Sequence, residues 1–157
     1  MAVTIGPEDP TLPEIVDLLE AHLEFTRGAS PPDHVHALDL DGLVHESVSF
    51  FAGREDGELL GVGALRELGH GRAEIKSMHT TKSARGRGVG RAMLEHLMRT
   101  ARGRNISWLG LETGSMDEFA PARRLYRSAG FSDCEPFDRY TTNPFSVCMS
   151  TELSEPE

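Results

Sequence analysis

The segment from Arg85 to Arg91 combines three glycines with three arginines and leads directly into an amphipathic helix. Glycines at this spacing let the backbone approach a bulky anion, and the start of the helix presents unpaired N–H groups and the positive end of its dipole. The forked guanidinium groups of Arg85, Arg87 and Arg91 suit the oxygens of a pyrophosphate. The segment therefore predicts a phosphate-binding turn.

Two common nucleotide-binding motifs do not fit this turn. A dinucleotide fingerprint needs Gly-x-Gly-x-x-Gly, and its last position falls on Arg91 when counted from Gly86 and on Met93 when counted from Gly88. A P-loop needs Gly-Lys-Ser or Gly-Lys-Thr, and the sequence contains neither tripeptide. What remains is the pattern Arg-x-x-Gly-x-Gly, which runs from Arg85 to Gly90.

This pattern resembles the GNAT superfamily of acyl-CoA-dependent N-acyltransferases. In that family a strand with a glutamate runs into Gln/Arg-x-x-Gly-x-Gly/Ala, as the strand with Glu74 does here. A second block, residues 122–131, is similar to the later family helix, in which Ala-x-x-x-Tyr precedes a Gly-Phe that begins the next strand. The resemblance is most specific over residues 58–132, and it implies acetyl-CoA as the acyl donor.

The length of 157 residues predicts a single domain over residues 1–157. Its hydrophobic patterning predicts an α+β fold, and the resemblance implies a central mixed, mostly antiparallel sheet flanked by helices. A capping box at Ser115 and Glu118 is expected to open the helix that contains Tyr126. The expected strands are 2–5, 47–54, 58–66, 72–80, 106–111, a short run from 131, and 145–151; helices are expected from Pro13, over 33–43 and after Val89.

Acyl transfer from a thioester to an amine requires a base, because an alkyl amine has a pKa near 10.4 and arrives protonated at neutral pH. Strand alternation is expected to place Glu74, Lys76 and Met78 on one face. Glu74 is the first candidate for the general base, since family members use a glutamate at the matching position. Its alternative role is a salt-bridged strand carboxylate paired with Lys76 or a neighbouring strand. Glu112, at the end of the next strand, is the second candidate base.

The resemblance also implies roles for residues around the thioester. Tyr126 matches the tyrosine that protonates the departing thiolate, although a core tyrosine is the alternative. Phe119 stands where many members carry an asparagine that helps to hold the cofactor. The expected donor-binding residues are Met78, His79 and Thr80 on the strand, and Arg85, Gly86, Arg87, Gly88, Val89, Gly90 and Arg91 in the turn.

Composition narrows the possible partners. A net charge of −9 disfavours nucleic acids and anionic membranes as partners. The sequence shows neither a long apolar run nor a signal peptide, so we expect a cytoplasmic protein. The histidines lack a metal-ligand spacing, and we expect no metal site. Reduced thiols are expected for Cys134 and Cys148, with Cys134 as an acyl carrier a minor alternative.

The sequence favours an N-acetyltransferase that acts on a primary amine of a small molecule, while a protein amine stays possible as acceptor. A non-catalytic acyl-CoA-binding regulatory or partner-binding module is the alternative function. His34 and His36 fall in a stretch that borders the acceptor pocket in GNAT folds, where they either bind substrate or form a surface loop. The resemblance also implies a homodimer as a mild expectation.

Overall fold

The computed structural model describes residues 3–29, 40–138, 140 and 144–153. Within them seven strands form one mixed sheet with the order β1-β2-β3-β4-β5-β7-β6. The strands are β1 Thr4–Pro7, β2 Val48–Glu55, β3 Glu58–Gly69, β4 Arg72–Thr80, β5 Trp108–Gly114, β6 Ser132–Cys134 and β7 Ser146–Glu152. The helices are α1 Pro13–Ala29, α2 Leu40–Leu43, α3 Val89–Gly103 and α4 Ala120–Ser128, with short 3-10 turns at Lys82–Ala84 and Asp117–Phe119.

The first four strands form an antiparallel meander. β2 and β3 are joined by a tight turn in which Asp56 and Gly57 have φ values of 51° and 83°. A type I′ hairpin turn requires positive φ at both central positions, and Asp-Gly satisfies this at low cost. The predicted hairpin is therefore confirmed, as is the α+β fold with its mostly antiparallel sheet.

A strand-helix-strand unit follows the meander, and β4 and β5 are the parallel pair in the described sheet. A parallel pair needs a crossover connection, which α3 supplies. α3 buries Val89, Met93, Leu97 and Ala101, as its apolar spacing predicted. The antiparallel strands β7 and β6 complete the sheet beyond β5.

Two hydrophobic clusters lie on opposite faces of the sheet. On one face α3 and α4 pack over Leu65, Ile75, Leu109 and Met149, among other buried residues. On the opposite face α1 and α2 cover Phe50, Ala52, Val62 and Ala64 through Ile15, Leu18 and Leu43. The two faces of the sheet therefore have separate hydrophobic cores. The candidate site lies between them, where β4 and β5 diverge within the sheet.

Two element boundaries differ from the expectation, and a third expectation is only partly described. α1 continues through Gly28 to Ala29, and β1 continues through the expected stop at Gly6 to Pro7. An edge strand tolerates proline because it needs a ladder donor on one side only. Of the helix expected over 33–43, the structure describes α2; residues 33–39, with His34 and His36, lie outside the described residues.

Ser115 does not cap the helix that contains Tyr126. Its hydroxyl donates instead to the carbonyl of Pro144 at 2.6 Å, and α4 begins five residues later, at Ala120. The capping box was a wrong prediction because Ser115 is used to fasten the end of β5 to the segment before β7. Arg123 completes this anchor, since its Nη1 donates to the carbonyls of Gly114 and Met116.

Candidate active site

The site begins where β4 and β5 separate. Their register pairs three residues of each strand, 72–74 with 108–110, and the pairing ends at Glu74 and Gly110. Beyond that point both strands continue without pairing to each other, as far as Thr80 and Gly114. A cavity of about 740 Å³ opens between the two diverging ends.

A bulge in β4 shapes one wall of this cavity. Gly63 of β3 lies opposite both Ser77 and Met78, and Ser77 has a φ of 53°. An extra residue in one strand of a pair exchanges the faces of all residues that follow it. Met78 therefore packs against the cluster that contains Ile75, and the expectation that it shares a face with Glu74 and Lys76 was wrong.

The glycine-rich turn forms one end of the cavity. Gly86 and Gly88 have φ values of 77° and 83°, and a Cβ at either position would meet no atom within 4 Å. The backbone is thus in a conformation that favours glycine, and its surface is open to a ligand. Gly88 is the N-cap of α3 and no side chain caps this end, so the first N–H groups of the helix have no acceptor within the helix.

The predicted donor-binding residues largely converge on this end. Arg87 is the exception: it is exposed and lies 3.5 Å from Glu55. Arg91 is also exposed, and its Nη2 donates to the Ser128 hydroxyl at 2.9 Å. Gly90 lies close to Leu125 of α4, with 3.4 Å from a Cβ placed there to Cδ2. The cavity is lined by Met78, His79, Thr80, Arg85, Gly86, Gly88, Val89, Gly90 and Arg91.

Tyr126 and Phe119 lie along the middle of the cavity. The Tyr126 ring is buried and packs against Phe131 at a centroid distance of 6.0 Å. Burial raises the pKa of the Tyr126 hydroxyl from its ordinary value near 10 to about 12. Phe119 packs directly over Gly114, where any side chain would collide with its ring, the nearest ring atom being 2.1 Å from the position of a Cβ.

The other end of the cavity carries buried charge. Its walls include Lys76, Glu112 and Tyr140, whereas Glu74 is completely buried and does not line the cavity. The Lys76 Nζ donates to Glu74 Oε2 at 3.2 Å and to the Tyr140 hydroxyl at 2.8 Å. Tyr140 in turn donates to the same carboxylate oxygen. The Glu74–Lys76 ion pair that the sequence allowed is thus present.

Arg66 and Asp138 extend this cluster toward solvent. Arg66 donates to Asp138 Oδ2 at 2.8 Å and lies 3.4 Å from Glu74 Oε1. The bond to Asp138 and the charges of both carboxylates raise the pKa of Arg66, against the opposing effect of burial. Arg66 therefore stays charged, and the cluster contains two cations for its two carboxylates.

Sequence reasoning missed Tyr140 and Arg66. Tyr140 is separated from Glu74 by 66 positions in the chain and belongs to no helix or strand, so no spacing pattern connects the two. Arg66 could have been found, because a hairpin register places it directly opposite Glu74 on β3. The structure describes Glu74, Glu112 and Tyr126 in these positions, and their catalytic roles stay predictions.

Comparison with known proteins identifies the class. Residues 13–131 match the Acetyltransferase (GNAT) family. The protein is therefore a member of this family, and it is an acetyl-CoA-dependent acyltransferase. In the part of the chain that the structure describes, no helix combines the length and apolarity needed to cross a membrane. No three His, Cys, Asp or Glu side chains in those same ranges are grouped to hold a metal ion.

Particular relatives match nearly the whole chain. The uncharacterized N-acetyltransferase YsnE of Bacillus subtilis is 43% identical, over 93% of this chain and 97% of its own length. The IAA acetyltransferase of Azospirillum brasilense is 36% identical, over 96% of this chain and 98% of its own. A Klebsiella pneumoniae structure assigned to the acyl-CoA N-acyltransferases has a TM-score of 0.78 and 29% identity, covering 97% of this chain and 98% of its own.

Proposed function

We propose that this protein transfers the acetyl group of acetyl-CoA directly to a primary amine of a small molecule. The observation that carries the proposal is the arrangement of the cavity between the diverging ends of β4 and β5. One end offers an open backbone and arginines that suit a pyrophosphate, and the other offers carboxylates beside a phenol. A thioester placed along the cavity would have its acyl carbon between a donor-binding end and a proton-accepting end.

The net charge of the protein, −9, favours a cationic acceptor. The cavity lining itself holds the carboxylates Glu112 and Glu118 together with the cations Lys76, Arg85 and Arg91, so the attraction comes from the protein as a whole. A protonated amine is attracted to a protein of this charge, which concentrates the acceptor before it loses its proton. Phe145, just before β7, and Ser146, the first residue of β7, enclose part of the cavity. This enclosure favours a small amine over a lysine on a folded protein surface.

We assign the base to Glu74 and the acid to Tyr126. The ammonium of the acceptor loses a proton to Glu74, the neutral amine attacks the thioester carbonyl carbon, and the carbon–sulfur bond breaks. Tyr126 donates its proton to the departing thiolate, and the nitrogen of the new amide gives up its second proton to the Tyr126 phenolate, which restores the phenol and leaves a neutral amide. Glu112 is the second candidate base, since it reaches the cavity directly.

Thiol release tests the proposed function. Purified protein is incubated with acetyl-CoA and a panel of amino acids, polyamines and aminosugars, with acetyl-CoA alone and each amine alone as controls. We expect release that needs both substrates, together with the acetylated amine by mass spectrometry. Donor binding without turnover on any amine would instead support the non-catalytic module.

Glutamine variants separate the two candidate bases. General base catalysis contributes about 10²- to 10⁴-fold, so Glu74→Gln should lower kcat by about that factor while the Kd for acetyl-CoA is retained. If Glu112→Gln causes this loss and Glu74→Gln does not, the base is Glu112.

A cytoplasmic location and a homodimer stay predictions of the sequence.

Calorimetric titration with acetyl-CoA tests the donor site separately. The double variant Arg85→Ala/Arg91→Ala should bind acetyl-CoA about tenfold more weakly, since each exposed charge contributes about 0.5–1 kcal/mol. Arg99→Ala, an exposed arginine further along α3, is the matched control and should keep the affinity of the original protein. Equal affinities of the two variants for acetyl-CoA would show that these arginines do not bind the donor.

A further inference from the structure

Tyr140 occupies the junction between the cavity and the buried carboxylate of Glu74. Its hydroxyl donates to Glu74 Oε2 and accepts from Lys76 Nζ at 2.8 Å. Tyr140 and Lys76 both line the cavity, whereas Glu74 has no exposed area. Lys76 and Tyr140 therefore each connect the cavity to Glu74, and each offers a path for a proton from an acceptor in the cavity to that carboxylate.

The chemistry of the two side chains distinguishes them. A charged lysine has three donor hydrogens and no acceptor, so it cannot receive a proton from an ammonium group. A phenol has both a donor hydrogen and acceptor lone pairs, so it can receive one proton while it gives up another. Tyr140 is already oriented for this exchange, because its hydrogen points at Glu74.

We propose that Tyr140 binds the ammonium group of the acceptor and relays its proton to Glu74. This inference rests on the proposed function, and it adds a catalytic residue from the segment between β6 and β7. Glu74 then receives the proton through Tyr140 and not from the acceptor directly. Lys76 acts as a positioning residue that holds the phenol and the carboxylate together.

The relay balances atoms and charge. One N–H bond of the ammonium breaks as an O–H bond forms on Tyr140, while the original Tyr140 O–H bond breaks as one forms on Glu74. The products are a neutral amine, an unchanged phenol and a neutral carboxyl group. After acyl transfer, Glu74 returns its proton to solvent by the same route, so each turnover releases one proton overall.

The surroundings of Tyr140 hold its hydroxyl in place. The ring packs edge-on against Phe137 at a centroid distance of 5.3 Å and belongs to a buried cluster with Cys148. Phenylalanine at position 140 would keep these contacts and remove the hydroxyl alone. Tyr140→Phe is therefore a direct test of the relay that spares the packing of the segment.

Kinetics provide the first test. We expect Tyr140→Phe to lower kcat by about 10²-fold or more, with an unchanged Kd for acetyl-CoA and an altered rise of rate with pH. The kcat of the double variant Tyr140→Phe/Glu74→Gln should lie within about twofold of the kcat of the slower single variant. The two effects should not multiply, because both changes break the same proton path. Effects that multiply, or a Tyr140→Phe variant as fast as the original protein, would overturn the relay.

A spectroscopic test works without turnover. The chain has two tyrosines, at positions 126 and 140, so protein labelled with carbon-13 at the tyrosine Cζ gives two signals that Tyr140→Phe assigns. We expect Glu74→Gln to move the Tyr140 signal and leave the Tyr126 signal in place. An amine from the panel, added with CoA, should move the Tyr140 signal as well.

The two tests distinguish the relay from the proposed function. If the original protein releases no thiol with any amine while an amine still moves the Tyr140 signal, the proposed function fails and the acceptor contact stands. If thiol is released but Glu74→Gln leaves the Tyr140 signal unmoved, the function stands and the relay is overturned.

Discussion

At the end of the cavity beside α3, the wall consists of backbone and of arginines that extend into solvent. At the opposite end, beneath the point where β4 and β5 part, it consists of charged side chains that are buried against one another. The first end is formed mainly by the segment from Arg85 to Arg91 and by the end of β4 shortly before it. The second brings together β3, β4, β5 and the segment after β6.

This difference separates what each end can do. A surface of glycine backbone and exposed charge can hold a ligand without costing the fold much, because the contacts of Arg87 with Glu55 and of Arg91 with Ser128 are themselves exposed. A buried set of charges affects the fold and the chemistry together, since removing one member leaves its partners uncompensated. Changes at the turn should therefore alter affinity, and changes around Glu74 should alter rate and stability together.

The largest expected effect on stability is at Glu74. Glu74→Gln leaves Lys76 buried without its carboxylate, and breaking a buried ion pair costs about 3–5 kcal/mol of unfolding free energy. Glu67→Gln is the matched control, because the Glu67–Arg104 pair is 3.5 Å long and about half exposed. Exposed pairs contribute about 0–1 kcal/mol. Urea unfolding of both variants checks the difference, and similar losses would contradict the contrast between the two ends.

A second prediction sharpens the contrast with two glycines of the same conformation. Gly88 and Gly57 both have a φ of 83° and open space where a Cβ would lie. Alanine at either position should cost about 1–2 kcal/mol of stability, because L residues rarely adopt this conformation. Only Gly88→Ala should also weaken acetyl-CoA binding, by about tenfold or 1.4 kcal/mol in calorimetry. Loss of affinity in Gly57→Ala would point to a general effect of strain.

The smallest effect is a loss of stability at alkaline pH. Burial raises the pKa of Tyr126 to about 12, so the folded protein keeps a proton that the unfolded chain releases above pH 10. Stability should therefore fall by about 1 kcal/mol between pH 10 and pH 11, and less so in Tyr126→Phe. Burial, with the charge of Glu112, raises the pKa of Cys148 from about 9 to about 11. The loss of stability should therefore already begin near pH 9, where the unfolded chain starts to release the thiol proton. Chemical unfolding from pH 8 to 11 measures both.

The donor-binding end could be predicted because its signals are local. The strand, the glycine-rich turn and the helix follow one another without interruption from Arg72 to Gly103, and each follows from backbone geometry. The hairpin at Asp56 and Gly57 was predictable for the same reason. The bulge at Ser77 was not, because it shows only in the register between β4 and β3 and no local residue pattern marks it.

The acceptor end could be predicted only in part. Glu74, Glu112 and Tyr126 follow from strand ends and from a family resemblance, whereas Tyr140 reaches Glu74 through a turn that has no regular pattern. Ser115 shows the same limit, since a sequence that suits a capping box is used for a tertiary hydrogen bond to Pro144. Tertiary contacts decide between local options that the sequence leaves equal.

The short pairing between β4 and β5 has a consequence for the abundance of the protein. Three residue pairs join the two halves of the sheet, and a donor lying along the cavity would contact both halves beyond the last pair. A ligand that binds only the folded state stabilises it by about 2.7 kcal/mol at a hundred times its Kd. The folded fraction, and with it the lifetime of the protein against proteolysis, would then rise and fall with the supply of the donor.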